Sequence, residues 1–353
     1  MDWILLAFFI CIFFACRFIP NGVDSKGTYL SLDNTKVLRG FLAIAIVLHH
    51  ISEHSNDGRF FSAMVHAGYL IVAVFFFLSG YGLLISYNKK GKNYLKGFWK
   101  NRILYLFIIW FLVSLGYLLY DVYIGRMNIG VKSFLFSFIN GHPIAINSWY
   151  IIVQLIMYIC FWVAFIIPSN TLTNERRIAI LFSLLVLIAI LFNRIGYSSI
   201  WYISNFAFVF GLLYAEKKPL FDIMLSNRWW VCLFITTIVF IAFSAAPLLL
   251  EHFDVGIYTY RLISRMVSSV AFVSMLIVLL FRIRVTGNLW RKIGLMSLEI
   301  YLLHGMVYSF FHSEACYIKQ DWLWTLLTLA LTIIIAIPAH YVSTIVAKLL
   351  QKK

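Results

Sequence analysis

Uninterrupted apolar runs, each about as long as a bilayer crossing and each closed by a short polar connection, recur along the whole of this 353-residue chain. A membrane-spanning helix takes about 20 apolar residues, and lipid admits little else because backbone polar groups must be satisfied within the segment. The runs predict about eleven spans, over 3–20, 37–54, 63–87, 102–123, 148–168, 177–194, 199–216, 229–250, 260–282, 293–312 and 322–349. The expected fold is therefore an all-α polytopic transmembrane bundle. Val131 to Asn140 is too short to cross and fits a re-entrant or interfacial piece. The first run has the length of a signal peptide. Asp2 stands where a basic start belongs and no small-residue cleavage site follows, so it reads as a helix.

Lys and Arg gather in every second connection: Arg17, Lys26 and Lys36; Lys89 to Arg102; Arg176 and Arg177; Lys217, Lys218 and Arg228; Arg282 to Lys292; Lys348 to Lys353. The intervening connections carry Glu53, Asp57, Glu251, Asp254, Glu314 and Asp321. The positive-inside bias then puts the N-terminus outside and the C-terminus in the cytoplasm, in a multi-pass protein expected in a bacterial inner membrane. The net charge of +15 is spread over inner loops. It points to phospholipid rather than nucleic acid. Only Lys89 to Arg102 is dense enough for a second reading, the holding of an anionic cytoplasmic cofactor such as a phosphorylated carrier. With 62% hydrophobic and 12% charged residues, soluble classes are excluded. Cys11, Cys16, Cys160 and Cys232 lie in apolar runs and Cys316 in an outer loop, which is no disulfide framework.

Within the second run, Arg39 and His50 stand eleven residues apart. On a helix that leaves their side chains about 20° apart in azimuth and roughly 16 Å apart along the axis. One face thus carries a guanidinium at one depth and an imidazole at another, while His49 turns about 100° away. In the tenth run Ser297, Tyr301 and His304 share a face, with Glu299 on another. Ser79-Gly80 closes an aromatic run in the third, and Gln154 and Asn205 add amides. Each has a plainer reading. Arg39 could snorkel to headgroups, His50 could be interfacial, and Ser297, Tyr301 and His304 could be interhelical glue at about 0.6 kcal/mol per bond. Ser79 and Gly80 could simply let helices approach closely. Ionisable groups inside spans are nevertheless functional candidates by default.

Leu38-Arg39-Gly40-Phe41-Leu42-Ala43 with His50, followed by Phe75-Phe76-Phe77-Leu78-Ser79-Gly80-Tyr81, resembles the acyltransferase family 3 of integral membrane enzymes. Ser148-Trp149-Tyr150 is similar to that family's Trp-aromatic helix start, and Ser297-Leu298-Glu299-Ile300-Tyr301-Leu302-Leu303-His304 to its late Ser-x-x-x-Tyr-Leu-x-His signature. The likeness runs from about Lys36 to about Leu350. It implies residues 36–353 as a unit of about ten helices, with residues 1–35 adding a helix and inner loop in front. Tyr105-Leu106 departs from the proline common after the arginine that Arg102 matches, and nothing resembles the appended esterase-like domain of some members.

The resemblance implies transfer of an acetyl or other short acyl group from cytoplasmic acetyl-CoA, or another acyl-CoA, to a hydroxyl of an extracytoplasmic glycan or lipid-linked sugar. It makes His50 the essential histidine and Arg39 its partner. Elementary chemistry agrees. A neutral imidazole suits removal of a hydroxyl proton near pH 7, and a polyanionic nucleotide needs cationic anchors at the cytoplasmic mouth, where Arg39, Lys100 and Arg102 are expected. Tyr301 and His304 are candidates to orient the base or stabilise the oxyanion, Ser79, Trp149 and Gln154 to contact substrate, and no metal is expected. A flippase of a glycan precursor and a non-catalytic assembly factor are the alternatives. The first predicts paired repeats with broken helices, and no repeat is present. Acceptor recognition falls to Ser52 to Ser62, Ile124 to Asn147 and His252 to Tyr260, which would suit a polysaccharide repeat, peptidoglycan, a lipid-linked sugar or a small hydroxylated metabolite alike.

Overall fold

The structure is a computed structural model that describes residues 1–19, 29–55, 57–123, 143–168, 172–250 and 257–351. The expected short piece at 131–140 and most of two expected acceptor loops lie outside the described residues. Twelve principal helices are α1 (Asp2–Ala15), α2 (Leu32–Ser52), α3 (Gly68–Lys90), α4 (Trp99–Tyr123), α5 (Trp149–Ile166), α6 (Asn174–Arg194), α7 (Phe206–Glu216), α8 (Lys218–Leu250), α9 (Ile257–Arg282), α10 (Asn288–Leu295), α11 (Ser297–Phe310) and α12 (Asp321–Gln351). The only strands among the described residues are two short antiparallel pairs: β1 (Cys16–Phe18) with β2 (Ile283–Val285), and β3 (His312–Ser313) with β4 (Cys316–Tyr317).

Seven of these helices are long and apolar enough to cross a membrane, and the bent pair α10–α11 makes up to eight. The difference from eleven has identifiable sources. The run at 199–216 forms a 3₁₀ turn, Ser199–Trp201, and then only the 11 residues of α7. The run at 293–312 breaks by 74° between α10 and α11. The run at 177–194 is the 21-residue α6, whose first turn is charged. The first run yields only a 14-residue helix followed by a three-residue strand. Helix and strand together still cover about 31 Å, near the hydrocarbon thickness of a bilayer.

Both ends of α1 are fastened. Asp2 Oδ1 accepts the backbone N–H groups of Phe60 and Phe61 at 2.9 and 2.8 Å, beside the end of α2, while β1 pairs with β2 just after α9. Arg17 therefore lies opposite Arg284, so two of the basic connections meet on one side of the bundle.

Close helix contacts explain why small residues sit where they do, since in lipid packing rather than water exclusion holds helices together. A Cβ on Gly80 would collide with the Phe208 carbonyl, and one on Gly211 with that of Phe77, so α3 and α7 touch backbone to backbone. Gly40 and Gly294 do the same for α2 and α10, meeting the carbonyls of Trp290 and Lys36. α2 is buried along nearly its whole length, with Ser31 capping its start by accepting the Asn34 N–H. It is the central helix, with α3, α10 and α11 packed around it.

Candidate active site

At its last turn α2 presents His49 and His50, and Glu53 caps the end. The spacing of one helical turn brings the carboxylate back onto both rings. His50 Nδ1 lies 2.8 Å from Glu53 Oε2, and His49 Nε2 lies 3.6 Å from Oε1. A carboxylate only accepts, so the His50 proton sits on Nδ1 and its Nε2 is left with a lone pair. His50 is 7% exposed.

His304, fully buried on α11, stacks on His50 with ring centroids 5.0 Å apart and planes 22° from parallel. Its Nδ1 donates to the Ile300 carbonyl at 3.2 Å, and its Nε2 is buried without a hydrogen-bond partner. One turn earlier, Tyr301 donates its hydroxyl to the Asn147 carbonyl at 2.7 Å. That proton is committed, which leaves the phenol oxygen as an acceptor. Asn147 itself adopts φ 63°, a left-handed conformation uncommon outside glycine and concentrated at functional sites.

Side-chain contacts run on from Tyr301. The Tyr301 ring lies 4.9 Å from that of Tyr150 on α5. The Tyr150 hydroxyl donates to Gln154 Oε1 at 3.4 Å, and Gln154 Nε2 donates to Ser79 Oγ at 3.1 Å. Ser79 Oγ is 3.0 Å from the Tyr158 hydroxyl. Tyr150 and Tyr158 are in turn the electrostatic neighbours of Arg39, whose Nε bonds to the Thr35 carbonyl of its own helix at 3.3 Å. Arg102, exposed in a π-helical stretch over Trp99–Leu104, donates from Nε to Tyr94 at 3.1 Å and shares Tyr158 as a neighbour. Such π segments often mark functional sites. Among the described residues neither Arg39 nor Arg102 pairs with a carboxylate. Hydroxyls, an amide and aromatic faces thus run from His50 to Tyr158, with the two guanidinium groups as electrostatic neighbours of Tyr158.

Ser79, Gln154, Tyr301, His304 and His50 therefore come together as one run of contacts, with Arg39 and Arg102 as electrostatic neighbours of its Tyr158 end. Trp149 does not join it. Lys100 is exposed beside an apolar groove of about 540 Å³ between α4 and α5, lined also by Trp99, Ile103, Phe107 and Ile159. The Trp149 ring packs toward Trp201, 6.4 Å away. Sequence reasoning gave no site role to Glu53, Tyr150 or Tyr158. Glu53 stands three and four residues after the two histidines, a helical spacing that was legible; the tyrosines join only through tertiary packing.

Two further charged groups lie elsewhere. Arg177, counted above with an inner loop, is fully buried and donates to the Tyr87 hydroxyl at 2.6 Å and the Ile167 carbonyl at 2.7 Å, clamping the end of α5 to the start of α6. Glu299 is buried against Ser343 and lies 3.2 Å from His340 Nδ1, joining α11 to α12. Among described residues, the group with metal-ligand spacing is His49, His50 and Glu53, whose ligand atoms lie within 4.8 Å of one another.

In comparisons with known proteins, a family model described as an acyltransferase domain matches residues 29–341. No curated protein and no solved structure matches.

Proposed function

Because the chain belongs to acyltransferase family 3, whose model covers nearly all of it, we propose that this membrane acyltransferase moves an acetyl or other short acyl group from a cytoplasmic acyl-CoA to a hydroxyl of an extracytoplasmic glycan or lipid-linked sugar. The observation that carries the reading is the run of side-chain contacts beside the buried α2 from His50 to Tyr158, the tyrosine that Arg39 and Arg102 share as an electrostatic neighbour. Residues 36–353 form the acyltransferase unit in this reading, with residues 1–35 added in front.

Each end of the path suits one half of the reaction. The nucleotide phosphates of the donor stay at the mouth, gripped by Arg39 and Arg102, since guanidinium binds phosphate bidentately. The thin thiol-bearing arm extends inward past Ser79, Gln154 and Tyr150 and brings the thioester to His50, roughly 16 Å away by helical rise. The acceptor hydroxyl enters from the opposite end. His50 Nε2 takes its proton as the oxygen attacks the thioester carbon, the carbon–sulfur bond breaks, and the imidazolium returns the proton to the leaving thiolate. Glu53 on Nδ1 fixes the tautomer this requires and stabilises the transient imidazolium. The stacked His304 and the anchored Tyr301 hold the ring in place.

Thioester consumption in vesicles with the basic connections facing out tests the reading. Wild-type protein should release CoA in the presence of acceptor, and a folded His50→Ala variant should lose at least about 100-fold in rate. Release at the wild-type rate by that variant overturns the proposal.

A further inference from the structure

The end of α2 also has the makings of a second site. His49 Nδ1 lies 2.9 Å from the Met64 carbonyl. A carbonyl only accepts, so the proton of a neutral His49 is on Nδ1 and a lone pair remains on Nε2. That nitrogen faces Glu53 Oε1 across 3.6 Å, and the carboxylate oxygen is also a lone-pair bearer. Two acceptors so placed call for a cation between them. A carbonyl behind the distal nitrogen is also the arrangement that fixes the tautomer and raises the basicity of metal-bound imidazoles.

We propose that His49 Nε2, His50 Nδ1 and the Glu53 carboxylate form a site for a divalent transition-metal ion, and that occupancy of this site switches transfer off. Two imidazole nitrogens and one carboxylate oxygen suit Zn²⁺ and disfavour Mg²⁺ and Ca²⁺, which take oxygen ligands. Zn²⁺ bound by three such ligands at about 2.0–2.2 Å keeps its fourth position open. The three ligand atoms already lie within 4.8 Å of one another, so small side-chain adjustments close the site. Glu53, 39% exposed, gives the ion a way in.

The switch follows from proton counting. A neutral His50 carries one ring proton, held on Nδ1 by Glu53 in the metal-free enzyme. When a metal takes Nδ1, that proton moves to Nε2, the atom that must be bare to accept the acceptor's proton. No proton is gained or lost by the ring; its basic nitrogen is simply occupied. Glu53 is withdrawn from His50 in the same step.

The inhibitory consequence rests on the function proposed above, whereas the binding does not, and the test separates them. Purified full-length protein, stripped with EDTA, is titrated with Zn²⁺ by equilibrium dialysis. Wild type should bind one ion, and His49→Ala and Glu53→Gln should each weaken binding by at least about 10-fold. His66→Ala, whose imidazole lies within electrostatic range of His49 outside the trio, serves as control and should bind as wild type. Thioester turnover should fall as Zn²⁺ fills the site, recover with EDTA, and persist in His49→Ala at the same Zn²⁺ concentration. Wild type that binds no Zn²⁺ at 1:1 stoichiometry, or His49→Ala and Glu53→Gln variants that bind it as tightly as wild type, overturns the site. Binding as expected with turnover unaffected overturns the switch and leaves the site.

Discussion

At the scale of single residues, the chemistry concentrates on one nitrogen, His50 Nε2, whose availability depends on what holds Nδ1. Glu53 holds it at 2.8 Å. Replacing an orienting carboxylate by an amide leaves shape intact and spoils the tautomer. Glu53→Gln should therefore lower kcat by about 100-fold or more with the KM for acyl-CoA little changed, as measured by steady-state thioester release; a wild-type kcat would remove Glu53 from the mechanism. Arg39→Lys should act oppositely, raising that KM about 10-fold because a point charge replaces a bidentate fork, and an unchanged KM would show that Arg39 does not hold phosphate. Helical periodicity put Arg39 and His50 on one face of α2, and Tyr301 and His304 on one face of α11, while the roles assigned to them came from the family resemblance. Tyr150 and Tyr158 were not, because nothing local distinguishes a tyrosine that bridges two helices from the many that face lipid.

Among the helices, those that carry the site are aligned by contacts that admit no side chain. Gly80 and Gly82 sit two residues apart on α3, yet a Cβ on the first meets the Phe208 carbonyl while one on the second meets nothing. Gly80→Ala should destabilise the detergent-solubilised protein by about 1–3 kcal/mol through overpacking. Gly82→Ala should be neutral or raise stability by up to about 1 kcal/mol through helix propensity. Thermal unfolding of the two variants side by side decides it, and equal losses would mean that α3 and α7 do not meet as closely as described. Ser79 and Gly80 thus divide the two readings their sequence allowed: the glycine packs and the serine joins the polar path. The existence of most helices was plain from their apolar length. The 74° break between α10 and α11 was not, because no proline announces it, and the approach of Gly294 to the Lys36 carbonyl is a non-local contact.

Over the whole molecule, α2 sets the two ends of the reaction apart. Arg39 lies toward its start, and its end lies with His50 and the segment at residues 57–61 that anchors Asp2. The pairing of Arg17 with Arg284 puts two basic connections on one side, as the alternation of charge requires. In the proposed reaction that side supplies the thioester and the other the hydroxyl. Sealed vesicles of both orientations, given membrane-impermeant acetyl-CoA outside and acceptor on the far side, measure this directly. Transfer should occur only where the basic connections face the acetyl-CoA. Equal transfer from either side, or transfer only from the side of Glu53, would contradict the account.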